Sequence, residues 1–258
     1  MVSTPPASAF DFRALEASDD EIPFAAAIVL ADSDDPSFDE RMQETVRSAA
    51  GSRRALEALE FVTWRRSGDP LPESAGTTQT NPDVLLISID TLGADHLGCY
   101  GYDRDTSPNL DTLAARGVVF ENALSTAPWT LPGHMSIFTS LYPSFHKLES
   151  RSRRLDPNVR TLTQSINELG YRTSAFVTHP FLAKHWGFGK GFDFFYRHRE
   201  IVRAETQTST VIDWLDWHLF HQRRGQEPEA FFVFVHYYDP HETYSPIVIF
   251  RHLKTTST

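Results

Sequence analysis

The sequence predicts an α/β fold, a three-layer αβα sandwich with a mainly parallel sheet. Three observations lead there. From residue 83 onward strand and helix patterns alternate, which builds parallel sheets covered on both faces. Two strand candidates, Asp83-Val-Leu-Leu-Ile-Ser-Ile89 and Ala230-Phe-Phe-Val-Phe-Val235, are short continuous apolar runs, the pattern of strands buried on both sides. The helix candidates between them are punctuated by hydroxyl residues or proline at their starts and glycine at their ends.

The elements follow in order. Residues 1–80 form an acidic extension with 15 acidic and 7 basic residues, no Lys and no His. Ile22–Ala31 is apolar and only ten residues long, so it predicts a buried strand or short helix rather than a membrane element. From Ser37 to Arg66 helical spacing dominates: Phe38, Met42, Val46 and Ala49, then Leu56, Leu59 and Val62. Gly68 to Pro82 is rich in Gly, Pro, Ser and Thr and predicts a linker. The second segment, 81–258, opens with the strand at 83–89. A helix follows, with Ser107 as its cap, Pro108 in its first turn, Leu110, Leu113 and Ala114 on its inner face, and Gly117 at its end. Val118–Leu124 is a strand candidate. A helix begins near Pro132 and runs through Ile137, Phe138 and Leu141. Another covers Thr161–Leu169 and closes at Gly170. Tyr171–Thr178 is a strand, Glu205–His221 a helix, and Ala230–Val235 a strand.

Composition excludes several classes. With 258 residues and 40% hydrophobic content, wholesale disorder is excluded. A single cysteine, Cys99, excludes an intrachain disulfide framework. No run reaches the roughly 18 apolar residues of a membrane span. A net charge of −10 argues against a general nucleic-acid binder. The start MVSTPPASAF has no basic region of the secretory type, which predicts a cytoplasmic location.

Chemistry-bearing residues collect at predicted strand ends, where parallel sheets bind ligands. All 11 histidines lie between His96 and His252. Asp90 follows the first strand; a buried carboxylate needs a partner or a metal, the bland alternative being a turn or N-cap Asp. Thr130 sits in Ala127-Pro-Trp-Thr-Leu-Pro-Gly-His134, held between two prolines at a helix start, where free N–H groups favour an anion. It is a nucleophile candidate or simply a capping Thr. His236 and His241, with Asp239 between them, suit oxyanion contacts or metal binding, or are satisfied structural histidines.

The order of these segments resembles the sulfatase family of the alkaline phosphatase superfamily. Asp83–Tyr102 (DVLLISIDTLGADHLGCYGY) is similar to the family's opening strand and loop. Thr130-Leu-Pro-Gly-His134 and Ser136–Pro143 are similar to its nucleophile motif and the helix that follows. Glu168–Ala175 and Gly191-Phe-Asp193 resemble later motifs, and Phe234–His241 resembles a histidine loop. The resemblance spans about 83–250 and implies the amino-terminal part of an alkaline phosphatase-like domain, truncated at its C-terminus. It puts Thr130 at the nucleophile, Pro132 at the motif proline and His134 at the motif arginine. It implies a divalent metal held by Asp90 and Thr130 with later carboxylates, calcium first, with Mg, Mn and Zn open. Thr130 would attack sulfur or phosphorus. His134, His236 and His241 complete the implied catalytic set, and His179, Lys184 and His185 are the implied substrate-binding groups. The implied ligand is a small anionic ester, with no nucleic acid partner.

Three departures matter. Thr130 cannot yield formylglycine, because oxidising a secondary alcohol gives a ketone; this leaves phosphate esters open beside sulfate esters. Thr91 stands where a second Asp is common. The family's later metal-ligand segment has no counterpart before Thr258, and Asp95-His96-Leu-Gly98 is not a replacement. Three functional readings follow: a metal-dependent sulfatase-family ester hydrolase, a truncated inactive remnant or anion-binding pseudoenzyme, and an acidic interaction module.

Overall fold

The structure is a computed structural model that describes residues 60–71 except 62 and 66, 81–223, and 229–241. The apolar segment 22–31 and the helical pattern over 37–59 lie outside the described residues. The elements are β1 (Val84–Ile89), α1 (Pro108–Ala114), α2 (Thr130–Thr139), α3 (Pro143–His146), α4 (Leu162–Glu168), β2 (Arg172–Val177), β3 (Phe194–Arg197), α5 (Ala204–Arg223) and β4 (Phe231–Tyr237).

The four strands form one sheet in the order β1-β4-β2-β3. Every pairing is parallel, as the apolar runs predict. Alternate residues of a strand face opposite sides, so each strand feeds two cores. On one side Ala175, Val177, Phe195, Phe232 and Phe234 pack against Leu131, Met135 and Phe138 of α2. On the other, Phe176, Phe194, Tyr196, Val233 and Val235 pack against Val211 and Trp214 of α5. This is the three-layer arrangement. Register places Ser88 beside His236 and Ile89 beside Tyr237, so the ends of β1 and β4 stay level. That alignment brings the polar residues after both strands to one rim.

Local chemistry sets the helix ends. Thr161 caps α4 in a capping box: its hydroxyl accepts from the Gln164 N–H, and the Gln164 side chain accepts from the Thr161 N–H. Gly191 has φ +82, and an added Cβ would sit 2.3 Å from the Gln164 nitrogen, so only glycine fits there. Two residues on, Asp193 accepts from the Thr173 N–H at 2.9 Å and from Asn167 at 2.9 Å. The Gly-Phe-Asp motif therefore fastens the start of β2.

Several local expectations are corrected. Val118–Leu124 is not a strand; it pairs with no other strand, and Val118 is 81% and Leu124 92% exposed. An apolar run becomes a strand only where a ladder partner lies alongside. The predicted inner face of α1 is open, with Leu113 60% exposed. Ser107 precedes α1 but makes no capping bond; its hydroxyl accepts from the Gly98 N–H and donates to Asp111 instead. The short strand β3 had no pattern signal of its own. α2 starts at Thr130, ahead of Pro132, and stops at Thr139, where Ser140 adopts a left-handed cap with φ 56.

The end of the acidic extension docks on α5. Phe61 is buried against Trp217 and Phe220. Arg65 pairs with Asp213 at 2.6 Å and with Asp216. Truncating Phe61 to Ala removes a fully buried ring, and the expected loss is about 3 kcal/mol, read as a lowered urea midpoint. A midpoint within error of wild type would show that this contact contributes nothing.

Acid should also weaken the fold. Burial pushes His198 and His218 down to about 4, offset in part by the neighbouring Gln207 side chain at His198 and by the hydrogen bond to Glu229 O at His218. Unfolded imidazoles titrate near 6.5, so between 6.5 and 4 the unfolded chain binds more protons. This contribution is complete above pH 6.5 and is lost as pH falls towards 4, on the order of 2–3 kcal/mol per ring. Thermal unfolding at pH 7 and pH 4.5 checks it.

Candidate active site

The C-terminal rim of the sheet carries the site. Asp90 follows β1, and its N–H donates to Tyr237 O at 2.9 Å, extending the ladder one residue beyond the strand. The next residue, Thr91, has φ 56, an uncommon conformation for a β-branched residue and one that concentrates at functional sites. Thr130 is the first residue of α2, after Trp129 in extended conformation. Packing of Leu131, Met135 and Phe138 on the sheet brings this helix start against the β1 end. Thr130 Oγ1 donates to Asp90 Oδ2 at 2.9 Å. Pro132 lies in the first turn of α2, where a missing N–H breaks no helical bond.

One turn later His134 is held at both ring nitrogens. Thr130 O, which can only accept, takes the Nδ1–H at 2.8 Å. Ser88 Oγ lies 2.7 Å from Nε2 and donates to it. Burial lowers His134 to about 4, helped by the neighbouring His236. The ring is therefore neutral, with its proton on Nδ1.

His236 is the last residue but one of β4 and is wholly buried. Its Nε2 stands 3.4 Å from Asp90 Oδ2 and makes no hydrogen bond among the described residues. Below it, Gln207 of α5 is fully buried and donates to Phe176 O at 2.7 Å and His236 O at 3.2 Å, tying β2 to β4. His179, after β2, stacks on Tyr238 at 4.8 Å, and its Nδ1 accepts from the Phe181 N–H. Burial lowers it to about 4 against the opposing pull of Asp90. His241 Nδ1 shares a 2.8 Å hydrogen bond with the Tyr238 hydroxyl. Asp90, Thr130, His134 and His241 line an open cleft of about 720 Å³ together with Trp129 and the 123–128 loop.

Burial alone would raise the Asp90 carboxyl. Contacts from His236 and Thr130, with the nearby imidazoles of His236 and His134, outweigh it and hold Asp90 at about 2. The site thus presents one carboxylate, one hydroxyl and, at His134 and His179, neutral rings.

The structure brings together Asp90, Thr130, His134, His236, His179 and His241. It does not bring in the other two predicted groups. The Lys184 ammonium lies 5.8 Å from the Phe195 ring, on the core side of the sheet. His185 is exposed and packs on Trp186. Asp95 and His96 form an exposed pair in the first loop, away from the rim. Sequence reasoning missed Ser88, Tyr238 and Gln207. Ser88 carried a faint signal as the lone polar residue inside an apolar strand.

Asp90 and Thr130 are the residues that could hold one flank of a divalent cation. Asp90 and Thr130 offer the oxygen donors that hard cations prefer, and the unsatisfied His236 nitrogen faces the same carboxylate. They do not complete a coordination shell: among the described residues no three His, Cys, Asp or Glu side chains converge.

The site therefore sets a hydroxyl at a helix start against a carboxylate at the end of a parallel strand. The sulfatase family model matches residues 82–248, and the chain belongs to the sulfatase family. It is 32% identical to mouse steryl-sulfatase over 119 residues, 42% of this chain and 19% of that protein. It is 28% identical to an arylsulfatase of Clostridium perfringens over 152 residues, 56% of this chain and 31% of that protein. Among solved structures, the phosphonate monoester hydrolase of Agrobacterium radiobacter has the same fold, with TM-score 0.53 and 20% identity, covering 67% of this chain and 44% of that one. The chain therefore spans between a fifth and a third of these curated relatives.

The hydrogen-bond pattern makes a direct spectroscopic prediction. In ¹⁵N-labelled protein at pH 7, His134 should show a protonated Nδ1 and a bare Nε2, acquiring a second proton only as pH falls to about 4. A ring that titrates near 6.5, or carries its proton on Nε2, would contradict the Thr130–His134–Ser88 arrangement.

Proposed function

We propose that this chain carries the nucleophile end of a metal-dependent ester hydrolase acting on sulfuric or phosphoric esters. The observation that carries the reading is the 2.9 Å hydrogen bond from Thr130 Oγ1 to ionised Asp90, at a helix start on the rim of a parallel sheet. Thr130 is the nucleophile. Its oxygen forms a bond to sulfur or phosphorus as the bond to the ester oxygen breaks. The Thr130 proton leaves along its hydrogen bond to Asp90 and passes to water, and the leaving oxygen takes a proton from water, so the step is neutral in protons. Water then cleaves the threonine ester. Free N–H groups in the first turn of α2 favour the developing negative charge. His179 and His241 flank the cleft and bind the ester's oxygens. His134 orients the first turn of α2 through the Thr130 carbonyl rather than acting as a base, since both its nitrogens are engaged.

Asp90 and Thr130 would hold the divalent cation, for which calcium is the first choice. When bound, it polarises the ester oxygens and favours the ionised form of the threonine hydroxyl. The relatives include sulfatases and the fold neighbours include a phosphonate monoester hydrolase, so both ester classes belong in the assay. A second reading, anion binding without turnover, is favoured by the incomplete donor set among the described residues.

The deciding experiment is hydrolysis of aryl sulfates and aryl phosphodiesters with Ca, Mg, Mn or Zn added back. Turnover should appear with metal and fall more than about 1,000-fold in Thr130→Ala, while Thr130→Ser keeps part of it. Ester binding without any product would leave the anion-binding reading standing and remove the hydrolase. Unchanged turnover in Thr130→Ala would refute the nucleophile.

A further inference from the structure

The chain is acidic overall, with a net charge of −10, yet Lys147-Leu-Glu-Ser-Arg-Ser-Arg-Arg154 carries four cations against one acid. The loop is pinned at both ends. Leu148 and Leu155 are buried in the core beneath α2, and the Leu155 N–H donates to Trp186 O at 3.2 Å. Between these anchors Lys147, Arg151, Arg153 and Arg154 are exposed. Among the described residues none of the four makes an ion pair or a side-chain hydrogen bond. A solvated cation cluster on a fixed loop attracts anions wherever it sits, so its position decides its use.

Its position is the edge of the candidate site. The Arg151 guanidinium lies 4.7 Å from the centre of the Phe181 ring. That ring also meets Trp129 edge-on at 5.5 Å and His179 at 4.9 Å. Trp129 immediately precedes Thr130 and lines the cleft. One aromatic ring therefore touches the residue before the nucleophile, a rim histidine and the arginine. The cation–π contact holds Arg151 there and leaves its N–H donors free for a carboxylate, sulfate or phosphate. Arg151 thus places a permanent positive charge at this edge.

We propose that the Lys147–Arg154 loop, with Arg151 at its centre, is a second anion-binding subsite beside the Asp90–Thr130 cleft, selecting esters that carry a further anionic group. This rests on the reading of the cleft as an anionic-ester site. It names the substrate class more narrowly: polyanionic rather than singly charged esters.

The test uses the full chain in the Thr130→Ala form, so that nothing is turned over. The probes are a monosulfated hexose and the same hexose disulfated, titrated calorimetrically at low ionic strength. The disulfated ligand should bind about tenfold tighter, and the preference should shrink as salt rises. Arg151→Ala should reduce the preference at least about threefold, Arg151→Lys less, because it keeps the charge but loses the planar fork. Unaltered melting temperatures establish that these exposed-side-chain variants are folded. Equal binding of both sugars by the parent chain, or a preference unchanged in Arg151→Ala, would overturn the subsite while leaving the cleft reading intact. If neither sugar binds, the cleft reading fails and the subsite with it.

Discussion

The hydrogen bond from Thr130 to Asp90 joins the first turn of α2 to the end of β1, and it depends on keeping a half-buried carboxylate charged. Desolvation works against that charge. The Thr130 hydroxyl, the His236 edge and the adjacent imidazoles work for it, and the carboxyl settles at about 2. The contributors come from three places in the fold: Asp90 just past β1, Thr130 and His134 from α2, His236 from β4. The site is therefore a product of tertiary register. Slipping β4 by one residue would turn His236 to the α5 face and point Tyr237 at the carboxylate.

This explains why polar groups with no direct part in chemistry are buried beneath the rim. Gln207 reaches from α5 through the second core to bind carbonyls of both β2 and β4, fixing the two strands at the level of His236. Ser88 holds His134, and His134 holds the Thr130 carbonyl. Buried polar networks of this kind hold a geometry only while fully satisfied. Among the described residues this network is not complete: Gln207 Oε1 and His236 Nε2 are buried without a hydrogen-bond partner, and the latter faces Asp90 at the rim, where a ligand or ion would supply the missing partner.

Much of this was legible in the sequence. Asp83–Ile89 and Ala230–Val235 declared themselves as buried parallel strands because both faces had to be apolar. The Asp90 and Thr130 pair was legible because a carboxylate after an apolar strand and a proline-bounded hydroxyl each need a reason. What was not legible depends on neighbours distant in the chain. Strand order β1-β4-β2-β3 follows from crossovers that carry no local pattern. Val118–Leu124 reads as a strand by composition, yet no described strand runs beside it. Lys184 and His185 are close in sequence to His179, but the 3-10 turns after β2 send Lys184 to Phe195 and His185 to solvent. Gln207 and Arg151 look like ordinary surface polar residues until the tertiary contacts are known.

The sulfatase resemblance implies that His134 stands at the motif-arginine position, which would change the electrostatics of the site. An arginine there would bring a permanent positive charge to an anionic ester. His134 is buried, neutral and fully engaged, so it brings geometry and no charge. His179 is neutral as well. Asp90 remains negative, and an ester substrate adds at least one more negative charge. Two like charges at close range repel unless cations or oriented dipoles lie between or beside them. The N-terminus of α2 supplies only about half a unit of positive charge. In the proposed reading the remainder would come from a cation at the Asp90–Thr130 oxygens and from the basic loop across Phe181. A histidine in place of that arginine would thus shift the work of anion binding in the proposed reading from the motif itself to its surroundings.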